Sequence, residues 1–257
     1  MDFHIPTKNN TVLERLLGRI YADTELHQLW RCANMNAIDR SAISDHGEVH
    51  VRIVANAALR ILRLLVKGGV EPSVVKNHGL RVEDAEVIVV LAACFHDIGI
   101  AVHRDNHEQY SLIFAYPKSR ALLQDLYDEA GRTIITSEVM HAVIAHKVSE
   151  TCLTIESGVL KVADALDMAE GRTRIPFEAG KVDIHSISAL AVDAVDIEPG
   201  AERPVRIVVR LANSAGIFQV DELLRKKLKN SSIREHVEVV ARIEGDKERR
   251  LMENYRF

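Results

Sequence analysis

The chain has 257 residues, 47% of them apolar, and its 33 Lys and Arg set against 37 Asp and Glu give a formal net charge of -4. That length and apolar content are enough for one large domain, or a domain with an appendage, and they exclude a disordered or fibrous chain. The slight negative charge excludes a global basic field of the kind that draws proteins to nucleic acid, so any anion binding has to come from a local site.

From Thr11 to Arg31 the apolar residues Val12, Leu13, Leu16, Leu17 and Ile20 recur at helical spacing, which reads as an amphipathic packing helix with Thr11 as its N-cap. Ser41 or Ser44 opens a second, longer predicted helix that runs through Val66 and closes at Gly68-Gly69. One face of it carries His50, Ile53, Val54, Ala57, Ile61, Leu64 and Leu65, so His50 begins a core-facing stripe one turn after His46. A Gly- and Pro-containing connection follows.

The next stretch, Val87 to Tyr110, is the centre of the sequence. It is continuously apolar as far as Phe95 and then gives His96-Asp97-Ile98-Gly99. Such a run builds a buried helix, here Arg81 to Asp97, and is too short to span a bilayer. Charged or chelating groups are costly inside a protein unless paired or bound to metal, so a His-Asp step delivered by the core points to a ligand. Gly99 is expected to stop the helix through a left-handed turn.

Asn106 to Tyr116, Ser119 to Ala130, Thr133 to Val148 and Ile155 to Ala169 read as further helices. Val139, Ala142, Val143 and His146 fall at i, i+3, i+4 and i+7, which turns His146 inward as His50 is turned. On the last of these helices Leu160, Ala163, Asp164 and Asp167 share a face; Asp164 needs a partner there, while Asp167 and Glu170 read as solvated.

The pattern changes after Gly171. Ser188 to Glu198 alternates as a strand, PGAERP makes a turn, Val205 to Leu211 is a second strand, Ile217 to Lys229 a helix, and His236 to Ile243 a third β-rich run. The expected fold is therefore mainly α: a helical domain over residues 1–175 and a small α+β domain, three strands and a helix, over 176–257. An exposed strand edge in that unit would let a second copy pair with it as a homodimer. Arg225, Lys226, Lys227 and Lys229 read first as a solvated basic face and second as a surface for an acidic partner, and the tail GDKERRLMENYRF as a solvated end. Cys32, Cys94 and Cys152 are isolated from one another, which fits a reducing cytoplasm. The first residues, MDFHIPTKNN, do not have the pattern of a signal peptide, and a cytoplasmic protein with no membrane partner is expected.

The inward-facing chelators His50, His96, Asp97, His107, His146 and Asp164 come from successive predicted helices. Their order, H…HD…H…H…D, is carried by DHGEVH at 45–50, HDIG at 96–99, NHEQYS at 106–111, AVIAHK at 142–147 and KVADALDMAEGR at 161–172. From about Ser41 to Arg174 the chain resembles the HD-domain metal-dependent phosphohydrolases. The resemblance implies a helical pocket in which His50, His96, Asp97 and Asp164 hold one metal. In the two-metal branch His107 and His146 hold a second, with Asp97 best placed to bridge. His141, five positions before His146, is kept in reserve as a supporting group. Such ligands suit Mn, Fe, Co, Ni or Zn, with Mg admissible. Two divalent ions among neutral imidazoles and two carboxylates retain a charge of about +2, suited to a phosphate dianion.

The same resemblance implies hydrolysis of a phosphate ester or anhydride by metal-activated water. Arg104, Lys147 and Arg172 lie near the ligands in sequence as candidate phosphate partners, and His103 or His46 as donor of a proton to the leaving oxygen. A nucleotide or related small molecule is the favoured substrate, because the sequence offers no basic groove or aromatic stacking series for nucleic acid. HD-type dinucleoside tetraphosphate hydrolases share the six-ligand order. The cyclic-dinucleotide branch does not match: its GYP extension is missing and EQYSLIF follows His107. Two other classes stay open: distant relatives whose helical two-metal pockets use iron and dioxygen to oxidise carbon, and a structural metal in a dimerisation or recognition protein. No Walker loop or GxGxxG motif supports a kinase, ATPase or Rossmann reading.

Overall fold

The computed structural model describes residues 4–168, 188, 191–243 and 254–256. The segment expected to be one helix from Thr11 is two, α1 (Thr11–Ala22) and α2 (Thr24–Asn34). The break is at Asp23, which leaves the helical backbone, accepts the Leu26 N–H as N-cap of α2 and pairs with Lys118 Nζ at 2.7 and 2.8 Å. The cap of α1 is Asn10 rather than Thr11, its side chain accepting the Leu13 N–H. Helix α3 (Glu48–Lys67) starts later than the serines suggest. Asp45 accepts the N–H groups of Gly47 and His50 and so shapes a separate turn ahead of the helix.

A short α4 (Ser73–His78) lies in the stretch read as a connection, and α5 (Val82–Phe95) follows it. Helix α6 (His107–Leu122) runs through Pro117, merging two expected helices into one. Helix α7 (Glu129–Ala145) starts four residues before Thr133 because Asp128 caps it, accepting the Gly131 N–H at 2.8 Å. Helix α8 (Ile155–Ala165) completes the block.

Residues Val87 to Phe95 of α5 are fully buried, and α5 packs against α1, α3, α4, α6, α7 and α8. An all-apolar helix is stable only when surrounded in this way. Each large aliphatic side chain removed from water there contributes about 1.5–3 kcal/mol.

The C-terminal part is a four-stranded sheet in the order β1 (Val192–Pro199), β2 (Val205–Leu211), β3 (Val237–Ile243), β4 (Asn254–Arg256). Strand β2 is antiparallel to β1 and parallel to β3. A parallel pair needs a long crossover. Here the crossover carries a helical segment, 217–229, labelled α9, whose α-helical ends flank a π-turn at Val220–Arg225. The fourth strand, which pairs with 240–242 of β3, falls in the tail read as a solvated end. Val205, Ile207, Val209 and Leu211 of β2 belong to the same apolar cluster as Leu59 and Leu62 of α3, so the sheet is seated on the helical block. The fold is thus mainly α with a small C-terminal α+β unit. All three cysteines are free, and among the described residues no helix is long and apolar enough to cross a membrane.

Candidate metal centre

The ends of α5 and α6 near His96, Asp97 and His107 are brought together by a tight backbone approach. Gly99 lies in a 3-10 turn, Ile98–Ala101, rather than in a left-handed stop. It is glycine because of space: a Cβ there would lie 2.1 Å from the His107 carbonyl oxygen and 2.4 Å from the Ser111 nitrogen. Ser111 Oγ accepts the Gly99 N–H at 2.9 Å and donates to the His96 carbonyl at 2.8 Å, stitching α6 to the end of α5. Asn106, at φ 58°, turns the chain into α6; asparagine tolerates that left-handed conformation better than most residues.

The six expected ligands converge in two groups that share Asp97: His50, His96, Asp97 and Asp164, and Asp97, His107 and His146. In the first, His50 Nε2 and His96 Nε2 are 3.1 Å apart, with Asp97 Oδ2 at 3.2 and 3.1 Å from them and Asp164 Oδ1 at 3.4 and 3.7 Å. In the second, His107 Nε2 and His146 Nε2 are 3.3 Å apart, and Asp97 Oδ1 lies 3.1 and 3.6 Å from them. None of the six is more than 9% exposed.

The other ring nitrogens define the tautomers. Nδ1 of His96, His107 and His146 faces the carbonyl oxygens of Ala93, Arg104 and Val143 at 2.9, 3.0 and 2.5 Å. A carbonyl oxygen only accepts, so Nδ1 of His96 and of His146 carries the proton; Nδ1 of His107 also faces the Arg104 guanidinium, a donor, at 3.2 Å. His50 Nδ1 donates likewise to Asp167 Oδ2 at 2.6 Å. The four Nε2 atoms face one another in two pairs with Asp97 between them, an arrangement that needs a cation, either a proton or a metal ion, shared within each pair. The donor set fits divalent ions on either side of Asp97.

The two carboxylates set the charge state of the rings around them. Burial opposes a charge on His96, yet Asp97 and Asp164 outweigh it and raise its pKa to about 9. Burial also opposes the Asp97 carboxylate, but His96 and hydrogen bonds from His107, His146 and His50 hold it well below the usual range. Asp164 is held down in the same way, chiefly by Lys227, whereas burial lowers His146.

A cavity of about 390 Å³ opens over Asp97, His107, His146 and Asp164. Lys147 and Arg104 are on its wall, as sequence proximity suggested, with Lys147 Nζ 3.5 Å from Asn106 Oδ1. His46 is buried on the same wall and its Nδ1 donates to the Ser44 carbonyl at 2.6 Å. His103 is absent from that wall: it is exposed and accepts the Asp105 N–H at 3.0 Å, because the chain turns outward between the 3-10 turn and α6. His141 belongs to neither group and accepts the Leu153 N–H at 3.1 Å. Arg172 and Glu170 lie outside the described residues.

Three features escaped the sequence reading. Asp167 is buried behind His50 rather than solvated. Lys227, read as part of an exposed basic face, makes an ion pair with Asp164. With Gln219 and Leu223 it places α9 on the cavity wall. The signal that was available is the spacing of four in Gln219, Leu223 and Lys227, beside the buried stripe Val220, Leu224 and Leu228. Wider winding at the π-turn offsets the drift of about 80° that an α-helix gives positions eight apart.

The family model described as HD domain matches residues 47–169, which span all six converging residues. The chain is also 40% identical over 247 residues, 96% of its length and 95% of the relative's, to the uncharacterized protein MJ1020 of Methanocaldococcus jannaschii. No solved structure matches it. With the family's ordered His and Asp residues gathered into one buried cluster able to hold metal, the chain belongs to the HD-domain superfamily of metal-dependent phosphohydrolases.

Proposed function

We propose that the protein cleaves a phosphate ester or anhydride of a nucleotide or related small molecule. His50, His96, Asp97 and Asp164 hold one divalent ion, and His107 and His146, with Asp97, hold the second. The observation that carries this reading is Asp97, whose Oδ2 faces one imidazole pair and Oδ1 the other. Ions bound there supply Lewis acidity, lowering the pKa of water toward about 7 and offsetting phosphoryl charge.

The chain's own residues supply the rest. Asp167 fixes the His50 ring and raises the basicity of its Nε2. Lys147 and Arg104 put positive charge on the cavity wall, where a phosphate would lie. His46 keeps its Nδ1 proton on the Ser44 carbonyl; when the ring takes a second proton, Nε2–H is the group that would donate to the leaving oxygen. A cavity of about 390 Å³ is near the small end of ligand pockets, roughly 300–1,000 Å³, which favours a small phosphorylated molecule over nucleic acid.

The test is metal analysis of the purified protein together with phosphate release from monoesters, diesters and nucleotides in Mn, Co, Ni or Mg. Two ions per chain and metal-dependent release, lost in Asp97→Ala, are expected. Bound iron with oxygen consumption and no phosphate release would overturn the reading in favour of oxidation.

A further inference from the structure

We infer that Lys227, delivered by the C-terminal unit, binds the substrate's phosphoryl group, an inference that rests on the phosphohydrolase reading. Its side chain is 13% exposed and lies on the cavity wall. It pairs with Asp164 Oδ2, while Asp164 Oδ1 is the oxygen turned toward His50 and His96. The two carboxylate oxygens thus divide their work, and Lys227 does not occupy the face that an ion would use. An ammonium group has three donors. Among the described residues Asp164 is its one hydrogen-bond partner, which leaves donors for an oxyanion in the cavity.

The charges on the wall argue the same way. Asp97, Glu108, Asp164 and Asp167 line the cavity, as do Arg104, Lys147 and Lys227. Two divalent ions match the four carboxylates and leave the three cations without counter-charge, so the loaded cavity calls for a multiply charged anion.

Lys227 is also held in register with the other site residues. Asn230 donates from Nδ2 to the Val148 carbonyl at 2.8 Å and accepts the Cys152 N–H at its own carbonyl at 3.1 Å. Ser232 Oγ donates to the Thr154 carbonyl at 2.6 Å. The end of α9 is therefore fastened to the loop that follows His146 and Lys147. A lysine on a solvated helix face would have no such anchoring.

The plainer role, neutralising Asp164 alone, makes different predictions. The full-length chain, its Lys227→Met variant and its Lys227→Gln variant, which keeps a donor for Asp164 but no charge, would be loaded with Mn and titrated with inorganic phosphate by calorimetry. Ion number and affinity would be measured separately on the same samples. The expected result is an unchanged ion count in both variants and phosphate binding weakened about ten- to a hundredfold, the loss of one charge-assisted hydrogen bond. Phosphate affinity equal to wild type in Lys227→Gln, with only ion affinity altered, would overturn the inference and leave the hydrolase reading standing. A loaded wild-type protein that binds no phosphate would overturn both.

Discussion

Replacing Asp167 by Ala tests whether the first imidazole pair is a metal site. The Asp167 carboxylate accepts the His50 Nδ1–H at 2.6 Å, and His50 and Asp167 are 0% and 8% exposed. A hydrogen bond to a charged group is worth about 1.5–3 kcal/mol. The truncation removes the acceptor from a ring that water does not reach. It also withdraws the negative charge that makes Nε2 a stronger donor, so affinity for an ion held by His50 should fall about 10–100-fold. Mn titration by calorimetry, with circular dichroism to check the fold, would read the loss directly. Asp167→Asn should fall in between, because its amide oxygen still accepts the proton. If Asp167→Ala folds and takes up both ions as wild type does, the His50 ring is not a ligand oriented by Asp167.

Two further outcomes follow from particular contacts. Gly99→Ala would place a Cβ 2.1 Å from the His107 carbonyl oxygen and push α6 off the end of α5. A loss of at least about 3 kcal/mol in urea unfolding, together with weaker ion binding, is expected, and near-wild-type stability would contradict the close approach. Asp23 has a pKa lowered from 3.8: burial opposes the charge, but Lys118 and the capping N–H groups outweigh it. Its ionised form therefore stabilises the fold fully above pH 3.8, and that contribution is lost as pH falls through the lower folded value. Asp23→Asn keeps a capping side chain. The stability difference between wild type and Asp23→Asn should be constant from neutral pH to about 5 and shrink below 3.8; a difference that grows on acidification would refute the sign.

The convergence of the His and Asp residues was legible because two independent regularities agree on it. His50 and His146 fall on apolar helical stripes, and His96-Asp97 ends an apolar run that only a core could accept. Asp167 was misread because it was placed on a continuing helix, whereas α8 ends at Ala165 and the next turn swings Asp167 behind His50. Gly99 was assigned to the wrong constraint: periodicity reports a helix end but not the backbone of another helix lying against it. Lys227 was the least legible, since a lysine among lysines looks solvated until the fold carries it across 63 residues of sequence to Asp164. The short β4 pairs through its backbone, and the charged tail around it has no alternation to mark it.

The parallel pairing of β2 with β3 has a consequence for how the cavity is completed. The chain between two parallel strands must pass over the sheet, and here that passage supplies one side of the cavity wall, Gln219, Leu223 and Lys227. His96 and Asp97 are neighbours in sequence, but Val205 must find Val237 before α9 is held between its strands. A substitution that loosens the β2–β3 ladder would therefore shift Gln219, Leu223 and Lys227 on the cavity wall without touching any residue of the His and Asp cluster.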